Sequence, residues 1–191
     1  MIKTKNCAIF GGTFDPIHLG HLHVIDHLLK SKKFDSLIVV PTGNPATRQA
    51  VASPQDRLEM VRIALGNREI EISDCEINRP GTSYAIDTAI ELQQKHPDSQ
   101  LHWVVGSDAF AQISSWHKIE ELAELVEFLV VERPGSKISA TKFKSDYIKI
   151  DALPISATEI RNSINGGLAI EEMLPANVYA YIKNKGLYGA S

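Results

Sequence analysis

An apolar run, Cys7-Ala8-Ile9-Phe10, leads straight into Gly11-Gly12, and from about Ile17 the apolar residues change their spacing. Leu19, Leu22, Ile25, Leu28 and Leu29 then fall on one face of a helix. A short apolar run closed by a turn reads as a buried strand. Two glycines let the backbone turn sharply and approach a ligand closely, and Pro16 stops the strand from continuing. Strand, glycine turn and helix, in that order, constrain the chain more than any other stretch does. A helix start carries N–H groups that suit an anion. His18 and His21 lie three residues apart and share a face there. Two imidazoles beside such N–H groups make a socket for phosphate oxygens.

The same alternation continues along the chain. Strands are expected at 7–10, 37–40, 69–77 (with an irregularity near Asp74-Cys75), 101–105, 126–131 and, last, Tyr147 to Ile150. Helices are expected at 17–31, 84–95, 107–111, 118–124, 157–165, 170–174 and 176–184, with another starting at Ser53-Pro54 and carrying Leu58, Val61, Ile63, Ala64 and Leu65 on its apolar side. Ser53-Pro54 supplies a cap and a proline at the first turn, and Thr82 or Ser83 caps the helix from 84. Residues 41–53, rich in Thr, Gly, Pro, Asn and Ala, read as a mobile loop. Arg133-Pro134-Gly135 ends a strand, and the polar stretch 136–147 gives no clear pattern. Strands alternating with helices predict an α/β fold, a parallel sheet with helices on both faces. In such sheets ligands bind beyond the carboxyl ends of the strands, near the switch in strand order. Gly11 to His21, Pro41 to Arg48 and Gly106 to Asp108 fall at such ends.

The length of 191 residues favours one domain, 1–191, with a proper core. A hydrophobic fraction of 43% and a charged fraction of 23% suit a soluble globular protein, and no apolar run approaches the roughly 18 residues that span a bilayer. Net charge is −3, whereas a nucleic-acid binder would carry a basic face. An anionic substrate would need local positive groups instead. Cys7 and Cys75 form no disulfide framework, which fits a reducing cytoplasm, and the first residues lack the long apolar stretch expected of a signal peptide. Homo-oligomerisation is left open. There is no G-x-x-x-x-G-K-[ST] loop and no G-x-G-x-x-G after the first strand, so neither common phosphate loop applies. His23 and His27 read as a solvated helix face rather than a metal pair, and no dedicated metal site is expected.

The segment Gly11-Gly12-Thr13-Phe14-Asp15-Pro16-Ile17-His18-Leu19-Gly20-His21 resembles the G-T-F-D-P-x-H-x-G-H signature of the nucleotidylyltransferase superfamily. About 130 residues later, Ile155-Ser156-Ala157-Thr158-Glu159-Ile160-Arg161 resembles its second signature, I-S-x-T-x-x-R. Ser83-Tyr84-Ala85-Ile86-Asp87-Thr88, Gly106-Ser107-Asp108 and Trp116 are similar to landmarks of the bacterial nicotinate-nucleotide adenylyltransferases. The resemblance implies a Rossmann-like nucleotidylyltransferase fold and the transfer of AMP from ATP to nicotinate mononucleotide, giving nicotinate adenine dinucleotide and pyrophosphate in NAD biosynthesis. An acceptor phosphate monoester, with its second pKa near ~6, is already a nucleophile at neutral pH. The implied step is therefore in-line, without a covalent intermediate.

The resemblance assigns catalysis to His18, His21 and Arg161. It assigns ATP binding to those three with Gly11, Gly12, Thr13, Phe14, Gly106, Asp108, Ile155, Ser156 and Thr158. It assigns the mononucleotide to Thr13, Arg48, Ser83, Tyr84, Ala85 and Trp116, the last stacking on the ring. Mg²⁺ is implied on the ATP phosphates, with few protein ligands. One departure stands out: the family's P-P-H-[KR] stretch is Pro45-Ala46-Thr47-Arg48 here, so Thr47 replaces the histidine that this loop would bring to pyrophosphate. The signatures alone also fit phosphopantetheine adenylyltransferases, cytidylyltransferases and a nucleotide sensor without turnover. The Ser83 to Thr88 segment and Trp116 favour the nicotinate acceptor over the first two, and the intact His18, His21, Ser156, Thr158 and Arg161 argue against the third.

Overall fold

The structure, a computed structural model, describes residues 4–47, 49–132, 141–151, 153–166, 168, 170 and 172–190. The expected turn Arg133-Pro134-Gly135 lies outside the described residues, as does Arg48. Strand β1 is Lys5–Gly12, helix α1 Leu19–Ser31, β2 Ser36–Pro41, α2 Pro54–Leu65, β3 Glu71–Ile72 and α3 Cys75–Asn78. Then follow α4 Ala85–Lys95, β4 Ser99–Gly106, α5 Ser107–Phe110, a 3-10 turn Ile113–Ser115, α6 Ile119–Leu125 and β5 Val126–Glu132. Strand β6 Ser145–Lys149, α7 Ala157–Asn165, α8 Ala176–Lys185 and a 3-10 turn Leu187–Gly189 complete the order. All strand pairs are parallel, in the order β3-β2-β1-β4-β5-β6. This is the α/β, Rossmann-like sheet that the alternation predicted.

The strands are apolar on both faces because both faces are covered. Ala8, Leu37, Val39, Val104, Leu129 and Val131 pack into a core with residues of α1, α2, α7 and α8. Cys7, Ile9, Ile38, Val40, Trp103, Val105, Phe128 and Val130 pack into the other with residues of α4 and α6. The chain winds outward from β1 through β2 to β3, then returns to lay β4 on β1's other side. That reversal opens the crevice between the carboxyl ends of β1 and β4, where the sequence placed the ligand.

Several boundaries differ from the expected ones. The strand expected over 69–77 is only Glu71–Ile72. The Ser73 N–H still bonds the Val39 carbonyl at 3.0 Å, but the chain then curls into α3 and carries Glu76 inside. Helix α4 begins with Tyr84 at its cap position; neither Thr82 nor Ser83 caps it, because the Ser83 side chain is turned to Asn44, whose N–H it accepts at 3.1 Å. Around 172–174 the chain forms a turn rather than the expected helix. Residues 41–53 read as a mobile loop, yet the described ones among them are tied down. Thr42 N–H bonds Gly12 O at 2.8 Å, Ser83 N–H bonds Asn44 O at 2.9 Å, and the Asp15 carboxylate accepts from the N–H groups of Val51 and Ala52 at 2.8 and 3.1 Å. These partners lie tens of residues away, so local composition could not show them.

Candidate active site

The first signature folds tightly at the end of β1. Phe14 has φ of 49° and its ring is buried, packed edge-on against Phe10 and His21 at centroid distances of 5.8 and 5.0 Å. Gly12 is required here, since a Cβ on it would lie 2.9 Å from the Phe14 ring. The Asp15-Pro16 peptide is cis. Helix α1 starts at Leu19, two residues later than its apolar spacing suggested, so His18 is the cap residue, in extended conformation. The His18 N–H donates to His21 Nδ1 at 3.3 Å, and the two rings stack at 3.7 Å. Gly20 leaves room for this stack: a Cβ there would lie 3.0 Å from the His18 ring. Because His21 Nδ1 accepts, its neutral ring carries the proton on Nε2, which is thereby a donor. The helix start is less open than the sequence implied. Met173 O takes the Leu19 N–H at 3.0 Å, and His18 O takes that of His21 at 2.9 Å.

The second signature meets the first. Ser156 caps α7 by accepting the Glu159 N–H at 3.1 Å. Arg161 Nη2 donates to Thr158 Oγ1 at 3.2 Å, and Nη1 donates to the Asp15 carbonyl at 2.7 Å across 146 residues of chain. A cavity of about 60 Å³ lies between the two, lined among others by His18, Gly20, His21, Gly106 and Ile155. A larger one, about 360 Å³, opens at the amino ends of β2 and β3 beside Leu28, Phe34 and Arg68. It lies away from the histidines and the glycine turn, whereas His18 and His21 line the smaller one. Gly11 and Thr13 border the turn half-buried; a Cβ on Gly11 would make only ordinary contact, 3.6 Å from Trp103. Asp108 is exposed in the first turn of α5, one residue past its start, and so is not the helix cap.

The predicted acceptor residues group separately, at the start of α4. Ala85 is its first residue, and the Tyr84 ring lies 4.2 Å from that of His117, next to the half-buried Trp116. The loop after β2 reaches this point, since Pro45 pairs with Ser83. Thr47 is exposed.

Three residues to which the sequence assigned no role hold these pieces together. Arg57, fully buried, donates to the carbonyls of Ala52 (3.3 Å), Thr13 (2.7 Å), Gly43 (2.7 Å) and Thr42. Burial pushes its guanidinium pKa down, against the nearby Asp15 charge. Its place on the stripe with Val61, Ala64 and Leu65, at helical spacing, was the available signal. Asp15, besides Val51 and Ala52, accepts the Tyr188 hydroxyl at 2.7 Å; burial first, then this bond, raises the Tyr188 pKa. Glu76, also buried, accepts the Thr88 hydroxyl at 2.7 Å.

Known proteins resemble this chain in sequence and fold. The Cytidylyltransferase-like family model matches residues 9–163. A "Probable nicotinate-nucleotide adenylyltransferase" of Clostridium tetani is 36% identical, over 96% of this chain and 99% of its own. One of Saccharopolyspora erythraea is 34% identical, over 98% and 92%. The chain belongs to the nicotinate-nucleotide adenylyltransferase family. Among solved structures, the Plasmodium falciparum nicotinic acid mononucleotide adenylyltransferase complexed with NaAD superposes with a TM-score of 0.86 at 25% identity, covering 98% of both chains. The same enzyme complexed with APC gives 0.83 at 26% identity, again over 98% of both. Family membership excludes the phosphopantetheine and cytidylyl alternatives as the better description of this chain. No helix among the described residues is long and apolar enough to cross a membrane.

Proposed function

We propose that this chain, acting as one domain, transfers the AMP moiety of ATP to nicotinate mononucleotide, releasing pyrophosphate and forming nicotinate adenine dinucleotide for NAD biosynthesis. The observation that carries this reading is the Arg161 guanidinium bonded to the Asp15 carbonyl at 2.7 Å, which closes the second signature onto the histidine turn of the first. ATP would lie over the crevice between β1 and β4, its phosphates against His18, His21 and Arg161. The backbone of Gly11 to Phe14 would approach it on one side, and Gly106, Asp108, Ile155, Ser156 and Thr158 would border it on the other. Phe14 and Ile155 would contribute shape rather than polar side chains.

The mononucleotide would sit with its ring by Tyr84, Ala85 and Trp116 and its phosphate near Thr13, facing the α-phosphorus. Its dianionic phosphate attacks that phosphorus in line; a new P–O bond forms as the bond to pyrophosphate breaks. No proton has to be removed, so the protein's work is positioning two anions and stabilising the charge that gathers in transfer. His21 Nε2–H is aimed for that work by the bond at Nδ1. Among the described residues no three His, Cys, Asp or Glu side chains cluster to hold a metal ion. Mg²⁺ would therefore arrive on the ATP phosphates, with water completing its shell. A cytoplasmic setting suits an ATP-consuming enzyme whose Cys7 and Cys75 are both buried and unlinked.

Pyrophosphate release with ATP and a panel of acceptors tests the reading. Turnover should be fastest with nicotinate mononucleotide, with nicotinate adenine dinucleotide as co-product. Faster turnover with phosphopantetheine, or none with any acceptor, would overturn it.

A further inference from the structure

Glu76 has no part in the reaction just described, yet its surroundings are built around it. Helix α3 carries it inward, where it is 6% exposed. Thr88 Oγ1, on the fully buried side of α4, donates to its Oε1 at 2.7 Å. The Ser83 hydroxyl and the Gly43 N–H also face this carboxyl and pull its pKa down. Ser83 Oγ in turn accepts the Asn44 N–H at 3.1 Å. Arg79 reaches round the outside, donating to Thr88 Oγ1 at 3.2 Å and to Glu91 at 2.7 Å. The backbone of Gly43 lies so close that a Cβ on it would come within 1.9 Å of the Glu76 carbonyl oxygen. Three donors thus converge on one carboxyl from two segments, 43–45 and 83–88, and no described ion pair neutralises it directly. Burial pushes its pKa up, and those same donors pull it down.

Both segments border the acceptor side of the crevice, and neither borders the cavity between the histidines and Ile155. The geometry points to Glu76 as a positioning residue for the acceptor pocket. It clamps the loop after β2 to the start of α4, and so sets where Tyr84, Ala85 and their N–H groups stand. This inference rests on the proposed acceptor site. It also redefines Ser83, whose side chain is spent on the clamp and leaves the backbone of this segment to face a ligand. A carboxyl that takes three donors suits the role better than an amide, because it presents acceptors only.

The test uses Thr88→Val, Glu76→Ala and Glu76→Gln in the full chain. Thr88 is fully buried, and valine keeps its shape while removing the donor to Glu76. A merely destabilised enzyme loses active fraction and so apparent kcat, with both KM values intact. A displaced acceptor pocket raises one KM alone. Thr88→Val should raise KM for nicotinate mononucleotide about threefold to tenfold, and Glu76→Ala more than tenfold, with KM for ATP within twofold of wild type. Glu76→Gln, which keeps one acceptor oxygen, should fall between. Equal rises in both KM values, or an unchanged KM for the mononucleotide in folded Thr88→Val, would overturn the clamp. Failure of the acceptor assignment itself would appear separately, as wild-type enzyme without turnover of nicotinate mononucleotide.

Discussion

His21 is oriented before any ligand arrives. Its Nδ1 holds the His18 N–H, its ring stacks on His18, and Phe14 closes the other side. A donor fixed in this way does not reorganise during the reaction, and removing one such donor at a developing charge typically costs on the order of 10²–10³ in rate. His18→Ala and His21→Ala should each lower kcat by about that factor in protein that stays folded. His21→Ala also strips the acceptor from the His18 N–H, so urea unfolding should show a further loss of about 0.5–1.5 kcal/mol. Turnover within tenfold of wild type in both variants would remove the pair from the mechanism. Arg161 differs in kind, because the Asp15 carbonyl and Thr158 already engage two of its nitrogens. It is a brace as well as a cation.

Helix α2 has no residue in the proposed site, yet it organises the loops that border it. Through Arg57 it gathers carbonyls from the turn after β1 and the loop after β2. Arg57→Met would leave these carbonyls against an apolar side chain, at about 1–3 kcal/mol for each that stays buried and unpaired. A loss of about 3 kcal/mol or more is expected in urea unfolding, and a loss under about 1 would contradict the role. The carboxyl-terminal elements are held by tyrosines: Tyr181 of α8 donates to Asp56 at 2.9 Å and Tyr188 to Asp15. Burial and then the Asp56 bond raise the Tyr181 pKa to about 12. Between pH ~10, where an unfolded tyrosine ionises, and about 12, the folded chain keeps a proton that the unfolded chain has lost. Stability is therefore whole below that window and falls as pH rises through it. Tyr181→Phe should flatten the fall in alkaline unfolding, and an unchanged slope would refute the assignment. The sheet, α1, α2, α7 and the Ser53 cap were legible because each depends on periodicity or a cap within a few residues. Arg57, Asp15 and Glu76 were not, because their partners are backbone groups and hydroxyls brought in by the fold. The overlong strand over 69–77, of which only Glu71–Ile72 is extended, has the same origin: alternating isoleucines look extended, but Glu76 is drawn inward to Thr88.

Across the whole molecule, the proposed site lies at the carboxyl ends of the strands around the switch in their order. In the proposed arrangement the histidine turn and Arg161 would face one anion, and the start of α4 the other. Transfer in a single in-line step requires inversion at a chiral α-phosphorothioate of ATP, and net retention would point to a covalent adenylyl-enzyme. The acceptor pocket also has a sign. A nicotinate carboxylate and a nicotinamide carboxamide differ by one group, and a helix start offers N–H donors rather than acceptors. Charge at such a start is worth about 0.3–1 kcal/mol exposed and up to about 2 when partly buried. Direct charge-assisted hydrogen bonds add about 1.5–3 kcal/mol each. At about 1.4 kcal/mol per factor of ten, tenfold to several hundredfold in favour of the acid follows. The most direct test is kcat/KM for nicotinate mononucleotide and nicotinamide mononucleotide at one ATP concentration. A preference for the acid of at least about tenfold is predicted, whereas equal values, or a preference for the amide, would contradict the account.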